Sequence, residues 1–267
     1  MLRSGSVDRP LQPSTPLSNC RSQRNIVPML SLQPLLRALF LPAICVAGFV
    51  IPIHGSAAEC ELDNIALARV VTKQARLNFV AAGSEQAPTC PSAEATCRRS
   101  AYLVPGDEVL TGAADGSYVC ALFKSQGRAE TTGFLPRMAL EMVPPGPAPA
   151  QQWDGIWRRD RDTQIVVKSH HDDVEVSGSA VWGSHDPQRV RRGGIHSGEL
   201  NGKSKPRGHT VAIGYDPERS SFPPAPNEAP DACAAKLELL GRYLMVEDNG
   251  GCGGLNVSFT GVYVRAK

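Results

Sequence analysis

Val174-Glu-Val-Ser-Gly-Ser-Ala-Val-Trp182 alternates between small or apolar residues at even positions and mostly polar residues at odd positions. Successive side chains of a β-strand point to opposite faces of the sheet, so this segment predicts a strand that buries its even-numbered residues. Similar short runs, bounded by Gly, Pro, Asn and Asp, fill the chain from residue 59 onward. Long runs with the 3.6-residue period of a helix are missing there. The sequence therefore predicts an all-β protein.

A proline-rich segment divides this β-forming part of the chain. Residues 144–152 read Pro-Pro-Gly-Pro-Ala-Pro-Ala-Gln-Gln, a composition typical of a semi-rigid linker. The linker separates residues 59–143 from residues 153–267. Since 267 residues are enough for two domains, we expect each part to form a separate β-domain.

Residues 1–58 have the pattern of a secretory signal. Arg37 precedes an almost wholly apolar run over residues 38–53, and small residues follow up to a cleavage site expected after Ala58. A membrane anchor is the alternative, but two prolines interrupt the run and a span needs about 20 apolar residues. We therefore expect a periplasmic or secreted bacterial protein with no stable membrane span after cleavage.

The charge of the mature chain argues against a nucleic-acid partner. Residues 1–58 contain five of the 28 basic residues and one of the 26 acidic residues, so 23 basic and 25 acidic residues remain, a net charge of −2. Nucleic-acid binders normally need a strong basic excess to displace counterions from phosphates.

The cysteines of the mature chain predict disulfide bonds. An even number in an oxidising compartment favours disulfides over metal thiolates, and no Cys-x-x-Cys pair is present. The six cysteines are Cys60, Cys90, Cys97, Cys120, Cys233 and Cys252.

A hairpin that turns at Gly241-Arg242 would place Cys233 opposite position 250, which favours a Cys233–Cys252 disulfide. The other four cysteines allow three pairings. Among these we favour Cys90–Cys97 together with Cys60–Cys120.

Three segments of the first β-domain form a recognisable series: Tyr102-Leu-Val-Pro-Gly-Asp-Glu-Val-Leu110, Gly116-Ser-Tyr-Val-Cys120 and Thr132-Gly-Phe-Leu-Pro136. With these segments the domain resembles, over residues 65–143, the bacterial Src-homology-3-like (SH3-like) domains of exported proteins. That resemblance implies a small five-stranded barrel that binds the cell wall or a protein. Tyr118 and Phe134 match the aromatic positions of the family; they are either ligand contacts or part of the barrel core.

The second β-domain opens with Gly155-Ile-Trp157 and is similar to the calycin barrels, which include lipocalins and avidins. No lipid or biotin site follows from this resemblance. The pattern predicts eight strands, enough for a closed up-and-down barrel. They are the opening Trp153–Trp157 segment and the segments 164–168, 174–182, 194–200, 209–215, 235–240, 243–247 and 256–264.

Function is expected at one end of this barrel, which we call the mouth. Odd-numbered connections of an up-and-down barrel share one end, and ligand sites commonly lie in loops at barrel ends. These connections are residues 158–162, 183–193, 216–232 and 248–255. The candidate binding residues there are Arg158, Arg159, Arg161, Arg189, Arg191 and Arg192, which suit a planar carboxylate or phosphate. Acidic residues also occur at this end, so a solvated rim of mixed charge is the alternative.

No motif in the sequence indicates catalysis, a metal site or a cofactor. The cluster His170-His-Asp-Asp173 is best explained as a polar hairpin turn. We therefore expect an exported, non-enzymatic binding protein of the cell envelope. Its partners would be the cell wall or an envelope protein, together with a small anionic ligand. The alternative is a periplasmic inhibitor of a hydrolase such as lysozyme or a peptidase.

Overall fold

A computed structural model describes residues 60–215 and 233–267. The predicted signal in residues 1–58 and the whole 216–232 connection lie outside these residues. The described chain is all-β, with a nearly closed eight-stranded antiparallel barrel and a second antiparallel sheet. The predicted fold class is therefore confirmed.

The first sheet has seven strands: β1 (Ala66–Val70), β2 (Leu77–Val80), β3 (Arg98–Leu103), β4 (Glu108–Asp115), β5 (Tyr118–Phe123), β6 (Thr131–Pro136) and β7 (Leu140–Val143). Their order in the sheet is β3-β2-β6-β5-β4-β1-β7. The resemblance implies five strands, so this sheet is larger than expected. A 3-10 turn at Ala95–Cys97 leads into β3, and another at Arg137–Ala139 connects β6 to β7.

The second sheet has eight strands: β8 (Gly155–Arg158), β9 (Thr163–His170), β10 (Asp173–Trp182), β11 (His196–Ser204), β12 (Thr210–Tyr215), β13 (Cys233–Leu240), β14 (Tyr243–Asp248) and β15 (Gly261–Arg265). Their order in the sheet is β11-β10-β9-β8-β15-β14-β13-β12. All neighbours are antiparallel, so β8, β10, β12 and β14 all end on the side of the mouth. A short helix α1 (Pro187–Arg191) lies in the β10–β11 connection.

The barrel is joined by a ladder between its first and last strands, whereas its two sheet edges, β11 and β12, approach each other without a ladder. The first and last strands form a ladder, with Val264 opposite Arg158. Strands β11 and β12 instead approach through Gly202, where an added Cβ would lie 2.9 Å from the Cβ of Ile213. The small residue therefore allows the two edge strands to pack against each other.

The interior of the barrel is filled by side chains. Strand β10 buries Val174, Val176 and Ala180 while Glu175 and Ser177 stay exposed, as the alternation predicts. Side chains from all eight strands form one large apolar cluster inside the barrel. Two aromatic side chains of this cluster have polar groups that are hydrogen-bonded inside it. The indole N–H of Trp157 donates to the carbonyl of Trp153 at 2.9 Å, and the hydroxyl of Tyr263 donates to the carbonyl of Phe259 at 2.6 Å.

The proline-rich segment packs against this barrel more closely than a simple spacer would. Ala148 and Ala150 are buried in the barrel core, and a 3-10 turn covers Ala150–Trp153. The Ala148 N–H donates to Gly208 O at 2.8 Å, and the indole of Trp153 donates to Ala148 O.

The last barrel strand begins five residues later than the sequence predicts, at Gly261 instead of Asn256. The carboxylate of Asp248 accepts bonds from the Ser258 hydroxyl, the Phe259 N–H and the Thr260 hydroxyl. These bonds hold residues 258–260 in a loop at the mouth, so they cannot join the ladder.

Three disulfides stabilise the two sheets. They join Cys60 to Cys120, Cys90 to Cys97, and Cys233 to Cys252, which are the favoured pairings. The β13–β14 hairpin turns at Gly241-Arg242, with Leu240 opposite Tyr243 as predicted. In the β4–β5 hairpin a bulge shifts the register between Thr111 and Ala114, and Thr111 lies opposite Ala121.

The two sheets share an apolar interface. It contains Leu67, Leu110 and Leu122 from the first sheet, and Leu240, Tyr243, Val262 and Val264 from the barrel. The hydroxyl of Tyr243 donates to the carbonyl of Glu108 at 2.6 Å across this interface. The interface therefore fixes one sheet against the other and positions the loops on both sides of it.

Candidate functional site

A cleft of about 650 Å³ lies beside the interface of the two sheets. One wall is the β5–β6 connection, residues 124–130. The other wall is formed by residues 158–161, at the end of β8 and the start of the mouth, together with Val264. Both sheets are therefore needed to form the cleft.

The first wall is a closed loop. Residues 125–128 form a turn in which the Arg128 N–H donates to Ser125 O and Gly127 has a φ of +68°. At the base of the loop, the ammonium group of Lys124 lies 2.6 Å from the Glu130 carboxylate, although the Lys124 residue is only 4% exposed. Arg242 of the barrel donates to Lys124 O at 3.2 Å. The loop is thus tied to the barrel that it faces.

The second wall follows from the alternation along β8. Trp157 points into the barrel core, so the next residue, Arg158, points outward and is exposed. The turn that follows is fixed by the Asp160 carboxylate, which accepts a bond from the Asp162 N–H at 2.8 Å. Arg161 in this turn is also exposed.

Arg159 lines the cleft, but its hydrogen bonds mainly hold loop residues of the mouth in place. Its guanidinium donates to the carbonyls of Ser258 and Thr260 at 2.7 and 2.8 Å, and to the Thr163 hydroxyl at 2.9 Å. It also pairs with Asp160 at 2.9 Å. Burial alone would raise the pKa of Asp160, but the hydrogen bonds from Arg159 and Asp162, with the charge of Arg159, lower it.

The electrostatics of the cleft are strongly positive. Five basic and two acidic side chains line it: Lys124, Arg128, Arg158, Arg159 and Arg161, with Glu130 and Asp160. Both acids are already paired with lysine or arginine, and Arg161 lies 3.8 Å from Asp162. Arg128 and Arg158 make no ion pair with any other described residue. Each wall therefore presents one guanidinium whose charge is not neutralised within the described structure.

The structure divides the six predicted arginines into two groups. Arg158, Arg159 and Arg161 line the cleft, but Arg189, Arg191 and Arg192 lie at α1, outside it. The Arg189 guanidinium stacks 4.2 Å from the ring centroid of Trp182 and pairs with Asp186 at 3.3 Å. Arg191 and Arg192 are exposed to solvent.

Lys124 and Arg128 were not among the predicted binding residues. Both lie in the first β-domain, whereas the predicted arginines were chosen from the barrel mouth alone. Gly127 was the available local signal, because a glycine between polar residues marks a tight turn. Nothing in the sequence indicates that this turn faces Arg158.

The two aromatic candidates of the first sheet lie beside its disulfides. Phe134 is 1% exposed and packs in a cluster with Cys90, Cys97 and Cys120, which is a core position. Tyr118 is half-buried and packs against the same cluster. Neither residue lines the cleft.

Three further polar residues of the mouth, Asp162, Ser184 and His185, contact one another. His185 lies 2.7 Å from the Asp162 carboxylate, which also accepts a bond from Ser184.

The cluster at 170–173 forms the β9–β10 hairpin turn, as predicted. Residues 60–215 and 233–267 contain no group of three or more His, Cys, Asp and Glu side chains placed to hold a metal ion. In the same ranges no helix is long and apolar enough to cross a bilayer.

Comparisons of the chain with known protein families, with curated proteins and with solved structures found no match.

Proposed function

We propose that this protein is an exported, non-enzymatic binding protein of the bacterial cell envelope, and that it holds its ligand in the cleft between the two sheets. The cleft itself carries this proposal, because it joins residues of both sheets around guanidinium groups that no described acid neutralises. The interior of the barrel is packed with side chains, so a ligand has to bind outside it.

The proposed location is supported by the disulfides. Three disulfides in the structure are compatible with an oxidising compartment outside the cytoplasm. The export signal that the sequence predicts would deliver the chain there. In this proposal the first sheet contacts the cell wall or an envelope protein, as its resemblance to SH3-like domains suggests.

Co-sedimentation with purified cell-wall sacculi tests the proposal. The purified exported protein is mixed with sacculi, and the fraction in the pellet is measured against a soluble protein of similar charge. We expect retention that decreases with added salt, since screening weakens contacts between exposed charges. Absence of the protein from the pellet at low salt would contradict binding to the wall.

Inhibition of a hydrolase is the second candidate, and one observation favours it. All residues of α1 are exposed, including Val190, which is 46% exposed, and the same connection contains Ile195, which is 40% exposed. This exposed loop offers a hydrolase two apolar side chains to contact. Loss of lysozyme or peptidase activity on adding the protein, restored by Val190→Asp, would support this function.

A further inference from the structure

We propose that Arg128 and Arg158 bind one oxyanion, a phosphate or a carboxylate, from opposite walls of the cleft. This inference rests on the proposed binding function and assigns the chemical class of its ligand. A guanidinium group presents a planar fork of N–H donors, which matches the oxygens of either anion.

The ion pairs of the cleft explain why these two arginines are available. The Glu130 carboxylate is held by Lys124 at 2.6 Å, and Asp160 is held by Arg159 at 2.9 Å. The Arg128 and Arg158 side chains make no hydrogen bond or ion pair within the described ranges. An arriving anion would therefore meet two positive groups without displacing an acid that already occupies them.

The walls are fixed before any ligand binds. The Lys124–Glu130 pair closes the base of one loop, and Arg242 ties that loop to the barrel. On the other side, the bonds of Arg159 to Ser258 and Thr260 hold the start of the mouth. A site whose backbone is already ordered loses less conformational entropy on binding.

The size of the cleft indicates what carries the anion. Pockets for small ligands usually measure about 300–1,000 Å³, and a volume of about 650 Å³ exceeds what one phosphate fills. Val264, Ala129 and the arginine stems add apolar surface to the lining, and Ser125 and Gln126 add uncharged polar groups. We therefore expect a ligand of sugar or amino-acid size that bears the oxyanion.

Isothermal titration calorimetry of the purified full chain tests this assignment. The probes are inorganic phosphate and succinate, titrated separately so that the phosphate and carboxylate sources are distinguished. Arg128→Ala and Arg158→Ala each remove one proposed contact. Arg191→Ala is the matched control, because it removes the same charge from an exposed arginine outside the cleft. Arg128→Lys keeps the positive charge but loses the planar, forked set of N–H donors.

We expect at least one probe to bind with one site per chain. Loss of one charge-assisted hydrogen bond corresponds to about tenfold weaker binding, so Arg128→Ala and Arg158→Ala should each have that effect or more. Arg191→Ala should change the affinity less than twofold. The affinity of Arg128→Lys should lie between that of the unchanged protein and that of Arg128→Ala. Equal weakening by all three alanine variants would show attraction by net charge alone and would overturn the site, as would failure of both probes to bind.

The outcome separates this inference from the proposed function. Retention on sacculi without probe binding in the cleft would refute the oxyanion site and leave envelope binding intact. Probe binding that depends on Arg128 and Arg158, without retention on sacculi, would refute the wall as the target and leave the oxyanion site intact.

Discussion

Replacement of Gly241 by alanine should destabilise the protein through the interface between the sheets. Gly241 lies in the β13–β14 turn with a φ of +57°, and an added Cβ would lie 2.8 Å from Cδ2 of Leu67 and 2.7 Å from the Glu108 carboxylate. The Glu108 side chain can rotate away, but Leu67 is only 4% exposed and is packed. The new methyl group therefore presses on the first sheet.

Gly116 provides the matched control for this change. It occupies the β4–β5 turn with a φ of +56°, and an added Cβ there meets no atom within 4 Å. A left-handed conformation costs an alanine about 1–2 kcal/mol at either position. Overpacking adds about 1–3 kcal/mol at Gly241 alone. Gly241→Ala should thus lower the free energy of unfolding by about 1–3 kcal/mol more than Gly116→Ala.

Urea denaturation followed by tryptophan fluorescence measures this difference. All three tryptophans, Trp153, Trp157 and Trp182, belong to the barrel, so the signal reports unfolding of the part that contains Gly241. The midpoints of the two variants are compared at equal slope. Equal destabilisation by the two substitutions would refute the close contact between the β13–β14 turn and Leu67.

Three further predictions concern the disulfide, the buried tyrosines and the mouth. The double variant Cys233→Ser/Cys252→Ser removes the disulfide between two residues 19 positions apart and should lose about 3 kcal/mol of unfolding free energy, measured by urea denaturation; a loss below about 1 kcal/mol would contradict the expected role of this disulfide. Burial raises the pKa of Tyr243 to about 12 and also raises that of Tyr263, so the unfolded chain ionises first and stability should fall as pH rises from about 10 to 12. Tyr243→Phe should make this fall shallower in pH-dependent denaturation, and an unchanged slope would show that Tyr243 titrates normally. Asp248→Asn weakens the bonds that hold residues 258–260, so amide hydrogen exchange there should become faster while exchange in β10 stays unchanged, and unchanged exchange in both would contradict the role given to Asp248.

The barrel could be predicted from the sequence because its strands bury one face and expose the other. The alternation in Val174–Trp182 is visible in the chain and returns as the burial pattern of β10. Two strands of the first sheet, β3 and β7, lack such a signal because they form its edges. An edge strand has one neighbour and tolerates polar residues, as Arg98-Arg-Ser in β3 illustrates.

The candidate site could be predicted only in part. Arg158 and Arg161 were identifiable because basic residues follow a predicted strand at the barrel mouth. Their partner Arg128 lies 30 residues earlier in the chain, on the other sheet. Its position depends on how the two sheets pack through Tyr243 and neighbouring residues, and that long-range contact leaves no local pattern in the sequence.

The most direct test of the shared site is an NMR titration of the arginine side chains with inorganic phosphate. The Nε–H signals of Arg128 and Arg158 are assigned from the spectra of their lysine variants. If both sheets build one site, the two signals shift together along one binding curve, while the signal of Arg191 stays in place. Separate midpoints for Arg128 and Arg158, or a shift of only one of them, would contradict a single oxyanion held between the sheets.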